Sequence, residues 1–247
     1  CRKYDVPYQV IGNGSNLLVG DRGIRGLVIE MLSKEDEICV EDDCITVGAG
    51  MLLSKTANRA AEHGLTGMEF AAGIPGRIGG AVVMNAGAYG GEMKDILTAV
   101  TVLDQEGNEK ILSAEELELG YRTSCILKKG YIVTGAKIKL KHGEETAIRA
   151  RMEELKKQRV EKQPLEYPSA GSTFKCPVGY FAGGLIEQCG LKGYSIGGAE
   201  VSEKHAGFII NKGGATTNDV LSLIKYVQNK VFTETGVHLE TEVKYIG

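Results

Sequence analysis

Residues 11–18 are Ile-Gly-Asn-Gly-Ser-Asn-Leu-Leu, and residues 72–81 are Ala-Gly-Ile-Pro-Gly-Arg-Ile-Gly-Gly-Ala. Both glycine-rich stretches interrupt apolar sequence that is otherwise typical of buried core. Glycine permits positive φ and lets another group approach the backbone N–H donors closely. Successive N–H groups in such turns form concavities that bind anions, although a single loop is equally well explained as a tight turn. Two loops, followed by the glycine-containing segment 84–90, favour one large phosphorylated ligand lying across both.

The composition is that of an ordinary globular protein. Of the 247 residues, 43% are hydrophobic and 25% are charged, and the net charge is −3. The chain therefore lacks the basic excess of a nucleic-acid-binding protein, and it contains no apolar stretch long enough to span a bilayer. We expect neither a nucleic acid nor a membrane as a partner, and no obligate protein partner is evident.

The six cysteines form no CxxC pair, and none stands at zinc-ligand spacing from a histidine. We therefore expect no metal. Cys39 and Cys44 could face each other across a hairpin, but free buried thiols are the favoured interpretation. This cysteine usage is typical of a protein of the reducing cytoplasm.

Hydrophobic periodicity and turn residues predict a mixture of strands and helices. Strands are expected at 8–11, 26–31, 131–140, 205–211 and 238–246, with hairpins over 37–47 and 99–112. Helices are expected at 54–63 with Ser54 as N-cap and at 144–162, 184–189 and 217–235. A capping box at 113–116 predicts a further brief helix that ends at Gly120. The alternation of these elements predicts an α+β fold.

The glycine loops do not match the common nucleotide-binding motifs. A Rossmann fingerprint requires G-x-G-x-x-G opening a helix directly after a strand. Here Gly12-Asn-Gly14 is followed by residues 15–19, whose pattern is extended rather than helical. Neither loop ends in the Gly-Lys-Ser/Thr of a P-loop. A dinucleotide would therefore be held by the loops of a different fold.

Six motifs resemble, in order, those of the UDP-N-acetylenolpyruvoylglucosamine reductases of bacterial cell-wall synthesis, the MurB family. They are the two glycine loops, Asn85-Ala-Gly-Ala-Tyr-Gly90, Gly120-Tyr-Arg-Thr-Ser124, Ala170-Gly-Ser-Thr-Phe-Lys175 and Leu239-Glu-Thr-Glu-Val243. They extend over essentially the whole chain. The chain lacks room for the tyrosine-bearing loop of the longer subclass, so it resembles the shorter subclass.

The resemblance implies a two-part FAD-binding region of the vanillyl-alcohol oxidase, or PCMH, type and an α+β substrate-binding domain. The first FAD-binding subdomain is expected at 1–31, without the N-terminal strand and helix usual in the family and completed by the C-terminal strand 241–247. The second FAD-binding subdomain is expected at 32–143. The substrate-binding domain is expected at 144–240.

The implied activity is reduction of the enolpyruvyl ether of UDP-N-acetylglucosamine to UDP-N-acetylmuramate in peptidoglycan precursor synthesis. The resemblance implies FAD as cofactor and NADPH as the hydride-donating co-substrate. Two other functions stay open: an FAD-dependent oxidase of the same fold acting on an alcohol or sugar, and a non-catalytic nucleotide-binding module. The implied catalytic residues argue against the oxidase.

By resemblance, Ser172 matches the proton donor of the family, and the alternative is a serine in an ordinary Ser/Gly turn. Arg122 would hold the substrate carboxylate and stabilise the enolate, whereas an isolated arginine is more often a surface ion-pair partner. Glu242 matches the catalytic carboxylate of the last strand. From the residues alone, Glu240 is an equal candidate, and both could face solvent.

The resemblance also implies binding residues. Those expected at the cofactor are Gly12, Asn13, Gly14, Ser15, Asn16, Gly73, Ile74, Pro75, Gly76, Gly79, Gly80, Ala81, Asn85, Ala86 and Gly87. Those expected at the substrate are Tyr89, Lys162 and Lys175. The alternative for Tyr89 is a buried core tyrosine, and the alternative for Lys162 is a solvated charge on a helix. Arg77 stands where a small residue such as Thr is usual, and Cys176 stands where some members carry Asn.

Overall fold

The computed structural model describes residues 1–34 and 37–247. The chain divides into two compact units. The first unit comprises Cys1–Tyr8, Gly14–Leu27 and Val160–Gly247, and the second unit comprises Gln9–Asn13 and Val28–Arg159. Each unit has a hydrophobic core of its own.

Helices and short strands alternate along the chain. The helices are α1 Leu53–Glu62, α2 Ile78–Val83, α3 Cys125–Lys129, α4 Glu145–Lys162, α5 Ala182–Gln188 and α6 Thr217–Thr235. The strands are β1 Tyr8–Ile11, β2 Leu17–Val19, β3 Leu27–Glu30, β4 Ile38–Glu41, β5 Cys44–Gly48, β6 Leu65–Thr66, β7 Gly87–Ala88, β8 Gly91–Glu92, β9 Leu97–Leu103, β10 Glu109–Ser113, β11 Ile132–Lys139, β12 Lys141–His142, β13 Ser169–Ser172, β14 Ser195–Ile196, β15 Ala199–Val201, β16 Phe208–Asn211 and β17 Lys244–Ile246. Short 3₁₀ turns cover Arg2–Tyr4, Glu69–Ala71 and Met93–Asp95.

The second unit is built on an antiparallel five-stranded sheet in the order β10-β9-β11-β5-β4. Successive side chains of a strand point to opposite faces. In β9, Val100 and Val102 are fully buried, whereas Ala99, Thr101 and Leu103, which alternate with them, are only partly buried. Helix α2 packs against β11 and β5 and buries Ile78 and Val82. The sheet and this helix thus enclose the core beneath the second glycine loop.

The first unit contains an antiparallel four-stranded sheet in the order β13-β16-β15-β14. Helix α6 begins with a capping box between Thr216 and Asp219 and ends at Gly236, which has a φ of 72°. One face of α6 is buried in the core of this unit. The C-terminal strand β17 pairs in parallel with β2, directly after the first glycine loop.

Most of the predicted elements are confirmed. The strand at 8–11 and the helix at 217–235 have the predicted bounds, and both hairpins form. The helix expected at 54–63 is present, but Ser54 is not its N-cap. Helix α1 begins at Leu53, whose N–H donates to the carbonyl oxygen of Gly76 at 3.0 Å. A tertiary acceptor therefore satisfies the helix end in place of a serine hydroxyl.

Two other predictions need correction. The capping box at Ser113 and Glu116 forms its reciprocal hydrogen bonds, but turns rather than a regular helix follow it. The strand expected at 238–246 is regular only over β17. Before it, the Glu240 carbonyl accepts from the N–H of Lys175, and the Glu242 N–H donates to Thr173. These two bonds flank an isolated antiparallel bridge between Phe174 and Thr241, whereas β17 pairs with β2, so the segment changes partner and does not form one ladder.

The cysteine side chains in residues 1–34 and 37–247 are free thiols, but only Cys125 and Cys189 among them are buried. Cys39 is exposed, and Cys39 and Cys44 face Thr46 and Glu41 across their hairpin rather than each other. In the same ranges, no group of three or more His, Cys, Asp or Glu side chains is placed to hold a metal ion. None of the helices that the structure describes has the length and apolar character needed to cross a membrane.

Asp104 in the β9–β10 turn links stability to pH. Its carboxylate is buried, lies 2.8 Å from the Lys110 ammonium and accepts from the N–H groups of Glu106 and Asn108. The hydrogen bond from Lys110, above all, holds the pKa of the Asp104 carboxyl well below its usual range. Because the folded pKa is depressed, this stabilisation is present above the unfolded value of about 4 and is lost as pH falls toward the folded value.

We expect Asp104→Asn to lower the free energy of unfolding at pH 7. The difference in this free energy between variant and parent should shrink steadily as pH falls below about 4. Urea unfolding at a series of pH values measures both effects. Asp42→Asn is the matched control, because the Asp42 side chain is 84% exposed in the β4–β5 hairpin turn. An equal difference in the free energy of unfolding at pH 7 and pH 3 would contradict the depressed pKa of the Asp104 carboxyl.

Candidate active site

The two glycine loops contact each other through residues of the second unit. The Asn13 side chain donates from Nδ2 to the carbonyl oxygen of Pro75 at 2.9 Å. Gly12 lies against the Arg77 side chain: a Cβ added at Gly12 would be 3.5 Å from the Cβ of Arg77. The sequence predicted one ligand across both loops, and these contacts place the start of the first loop against the second.

The glycines of the second loop have different physical roles. A Cβ at Gly79 would lie 3.1 Å from the Cβ of Ala49, so the close packing of α2 favours glycine there. A Cβ at Gly80 would meet no described atom within 4 Å. In the first unit, Gly14 has a φ of 67° and likewise borders open space. The positions at Gly14 and Gly80 therefore have room for an approaching group.

Asn85 is a buried scaffold residue. Its Nδ2 donates to Glu92 Oε2 at 2.8 Å and to the Gly120 carbonyl at 3.0 Å, and its Oδ1 accepts from the Lys94 N–H at 2.8 Å. Both amide N–H groups are therefore used inside the protein. The side chain holds the segment after the second glycine loop against the turn that contains Arg122.

Arg122 lies in a tight turn closed by an antiparallel bridge between Gly120 and Thr123. Its φ of 54° is a left-handed conformation that favours glycine. Its Nη2 donates to the Gly87 carbonyl at 3.1 Å, so the guanidinium lies beside the predicted cofactor segment 85–87. An arginine held in a strained backbone conformation is a candidate for function rather than for stability.

Tyr89 is not the buried core residue that was the alternative from sequence. Its side chain is 37% exposed. It has a φ of 52°, and the next residue, Gly90, has a φ of 87°, so the β7–β8 hairpin carries two consecutive left-handed residues. This turn presents the tyrosine at the surface of the second unit.

Arg159 is a residue that the sequence interpretation missed. It lies on α4, and its guanidinium is close to the second glycine loop. A Cβ added at Gly73 would lie 3.1 Å from the Nη1 of Arg159. Burial lowers the pKa of the Arg159 guanidinium, and the neighbouring Tyr89 opposes that shift. A signal existed in the spacing, because Arg159 continues the helical stripe of Ile148, Met152 and Leu155 that faces the core.

In the first unit, the backbone next to Ser172 is hydrogen-bonded to the backbone of Glu242. Ser172 ends β13 opposite Phe208, after a register shift between Ser169 and Ser172, a stretch in which Gly171 has a φ of 80°. The next residue, Thr173, is buried, and its carbonyl accepts from the Glu242 N–H at 2.8 Å. A bulge of this kind re-aims a side chain at the end of a strand.

The first glycine loop is hydrogen-bonded to the backbone at Glu242 and Lys244. Asn16 donates from Nδ2 to the Glu242 carbonyl at 3.3 Å, and its own carbonyl accepts from the Lys244 N–H at 2.9 Å. The predicted cofactor residue Asn16 and the predicted catalytic residue Glu242 are therefore hydrogen-bonded in the first unit, and Ser172 lies beside them because the next residue, Thr173, accepts from the Glu242 N–H.

The structure distinguishes the two glutamates of the last motif. Glu240 is 76% exposed and bonds to the Lys175 ammonium at 3.0 Å, whereas Glu242 is half-buried. Lys175, predicted to bind substrate, thus has a carboxylate partner. Lys162 is exposed at the end of α4. Of the predicted catalytic residues, Ser172 and Glu242 belong to the first unit and Arg122 to the second.

Comparison with known proteins supports the same interpretation. The domain model described as UDP-N-acetylenolpyruvoylglucosamine reductase, C-terminal domain, matches residues 163–246, and a model described as FAD binding domain matches residues 1–113. A reductase of that name from Clostridium perfringens is 56% identical over 247 residues, which is 100% of this chain and 81% of the relative. One from Agathobacter rectalis is 57% identical over 98% of this chain and 81% of the relative.

A solved structure gives the same result. The crystal structure of UDP-N-acetylenolpyruvylglucosamine reductase from Thermus caldophilus has a TM-score of 0.85 and 42% identity, and the match covers 100% of this chain and 88% of that one. The resemblance, the α+β fold and the FAD-binding region expected from the sequence are confirmed. The chain belongs to the UDP-N-acetylenolpyruvoylglucosamine reductase family.

Proposed function

We propose that this chain reduces the enolpyruvyl ether of UDP-N-acetylglucosamine to UDP-N-acetylmuramate in peptidoglycan precursor synthesis, with FAD as cofactor and NADPH as hydride donor. The observation that carries the proposal is the 56% identity to a reductase of that name over 247 residues, which cover 100% of this chain and 81% of the relative. The hydrogen bonds of Glu242 with Asn16 and with Thr173, the residue after Ser172, support it, because they join a predicted cofactor loop to the backbone that carries predicted catalytic groups.

The residues present fit FAD. Gly14 and Gly80 border open space where a Cβ would meet no described atom. The buried Nε of Arg77, beside Gly12, has no hydrogen-bond acceptor in the part of the chain that the structure describes. The cofactor-binding residues we propose are those of the two glycine loops, residues 12–16 and 73–76 with 79–81, together with residues 85–87. When bound, FAD supplies hydride transfer, while the protein supplies orientation and electrostatics.

Reduction of the ether adds a hydride to the β-carbon and a proton to the α-carbon of the enolpyruvyl group. We assign the proton to the Ser172 hydroxyl, since a positioned donor must lie within hydrogen-bond reach of the atom it protonates. Arg122 would hold the substrate carboxylate through its planar guanidinium and stabilise the negative charge that develops next to it. Glu242 would share that stabilisation or resupply the proton.

We also assign Tyr89, Lys162 and Lys175 to the substrate. The two lysines are cations suited to the diphosphate and carboxylate of a UDP-sugar ether. The exposed left-handed turn of Tyr89 and the surface position of Lys162 support these roles. The Lys175 ammonium is held by Glu240, and an anionic substrate group would compete with that carboxylate.

The proposed organisation has three parts. Residues 1–31 with the strand at 241–247 form one FAD-binding subdomain, residues 32–143 form the second, and residues 144–240 bind substrate. The parallel pairing of β17 with β2 supports the first, and the five-stranded and four-stranded sheets lie within the second and third. Free thiols and a nucleotide-sugar substrate favour the cytoplasm as the site of action.

Steady-state oxidation of NADPH, with and without the UDP-enolpyruvyl sugar, tests the proposed function. We expect consumption of NADPH to depend on the sugar and to match the formation of UDP-N-acetylmuramate. Oxidation that needs only oxygen would replace the reductase with an oxidase of the same fold. A purified protein that stays colourless and takes up no added FAD would favour a non-catalytic nucleotide-binding module.

A further inference from the structure

Arg77 is a charged residue embedded in the second glycine loop. Its side chain is only 14% exposed and lies against Gly12 of the first loop. The backbone around it is fixed, because Arg77 bridges Leu52 and the next residue, Ile78, donates to the Met51 carbonyl. The guanidinium is therefore held at the contact between the two loops.

The charge of Arg77 is incompletely balanced by the described residues. Its Nη1 donates to the Gly50 carbonyl at 2.7 Å, and its Nη2 reaches Glu30 Oε1 at 3.4 Å. The Glu30 side chain is 51% exposed, so solvent weakens this long ion pair. The Nε is buried and has no hydrogen-bond partner within residues 1–34 and 37–247. A mostly buried guanidinium with a spare donor and a weak counter-ion is costly unless an anion completes it.

We propose that Arg77 contributes its positive charge to the binding of the FAD diphosphate. This inference rests on the proposed function, because it requires FAD to occupy the two loops. Glycine loops bind phosphate through neutral backbone donors, and Arg77 adds a full charge beside them. Glu30 opposes the same phosphate charge, so Arg77 and Glu30 should affect FAD affinity in opposite directions.

The test measures the dissociation constant of FAD with apoprotein by fluorescence, over a series of salt concentrations. We expect Arg77→Gln to weaken FAD binding by about 10- to 100-fold, as loss of a charged hydrogen bond implies, and to flatten the dependence of log Kd on log salt. Arg77→Lys should keep the salt dependence. Glu30→Gln should tighten binding several-fold.

Arg59 and Glu62 provide the matched controls. They form an exposed ion pair on α1, with a 3.2 Å separation and side chains 44% and 48% exposed. Arg59→Gln and Glu62→Gln make the same changes in net charge away from the loops, and we expect both to bind FAD as the parent does. Apoprotein melting temperatures show whether each variant is folded.

Three results would overturn the inference. The first is an Arg77→Gln variant whose Kd and salt dependence both equal those of the parent. The second is weaker binding by Arg77→Gln with an unchanged salt dependence, as a purely structural link between the loops would give. The third is weaker FAD binding by Glu30→Gln. If the parent binds FAD and one of these results is found, the inference on Arg77 alone fails, whereas a parent that binds no FAD contradicts the proposed function as well.

Discussion

Ser172→Ala is expected to lower turnover of the enolpyruvyl substrate by about 10²- to 10⁴-fold, the range that a positioned proton donor contributes. The substitution removes the proposed source of the proton for the α-carbon but leaves both glycine loops unchanged. We therefore expect NADPH to bleach the flavin of the variant at the parent rate. Reoxidation by the UDP-enolpyruvyl sugar should become slow. Stopped-flow absorbance separates these two half-reactions.

Ser195→Ala is the matched control for this experiment. Ser195 is exposed on β14 of the same sheet, where it pairs with Glu200, so the same atom is removed away from Ser172. We expect parent rates in both half-reactions. Reoxidation of Ser172→Ala at the parent rate would show that another group delivers the proton.

Arg122→Gly is expected to lower kcat/KM for the enolpyruvyl substrate by about 10²- to 10³-fold, the effect of removing a group that stabilises developing negative charge. The fold should survive, because glycine adopts the φ of 54° without strain. That relief offsets the lost hydrogen bond to the Gly87 carbonyl, which is worth about 0.5–1.5 kcal/mol. Substrate kinetics and the melting temperature, measured together, test both statements.

Arg122→Lys separates charge from geometry. Lysine keeps the positive charge but loses the planar fork that binds a carboxylate through two parallel hydrogen bonds, so we expect activity between those of the parent and Arg122→Gly. Arg151→Gln is the control, because Arg151 forms an exposed ion pair with Glu154 on α4. A folded Arg122→Gly variant with parent kcat/KM would remove Arg122 from the reaction.

Local signals in the sequence were sufficient where a short segment contains its own hydrogen-bond partners. Helix α6 has the predicted bounds because Thr216 and Asp219 cap its start and Gly236 ends it in the left-handed conformation. The β9–β10 hairpin follows from its turn residues in the same way. These elements satisfy their ends within a few residues, so distant parts of the chain do not move their limits.

Long-range partners explain the predictions that failed. Helix α1 begins one residue before Ser54, because the Gly76 carbonyl accepts from Leu53 across the second unit. The segment before β17 is irregular, because Thr173 and Lys175 take its hydrogen bonds. Neither partner is close in sequence, and periodicity carries no information about them.

Residue type and order along the chain were enough to identify the family, the α+β class, the two glycine loops and the motifs that contain Arg122, Ser172 and Glu242. Which polar groups have partners became clear only in the folded chain. There, Asn85 uses both amide N–H groups inside the protein, Glu240 pairs with Lys175 while Glu242 joins Thr173, and the Arg77 Nε has no acceptor among the residues that the structure describes. Hydrogen bonding and burial depend on distances between residues far apart in the chain, and a linear pattern does not contain those distances.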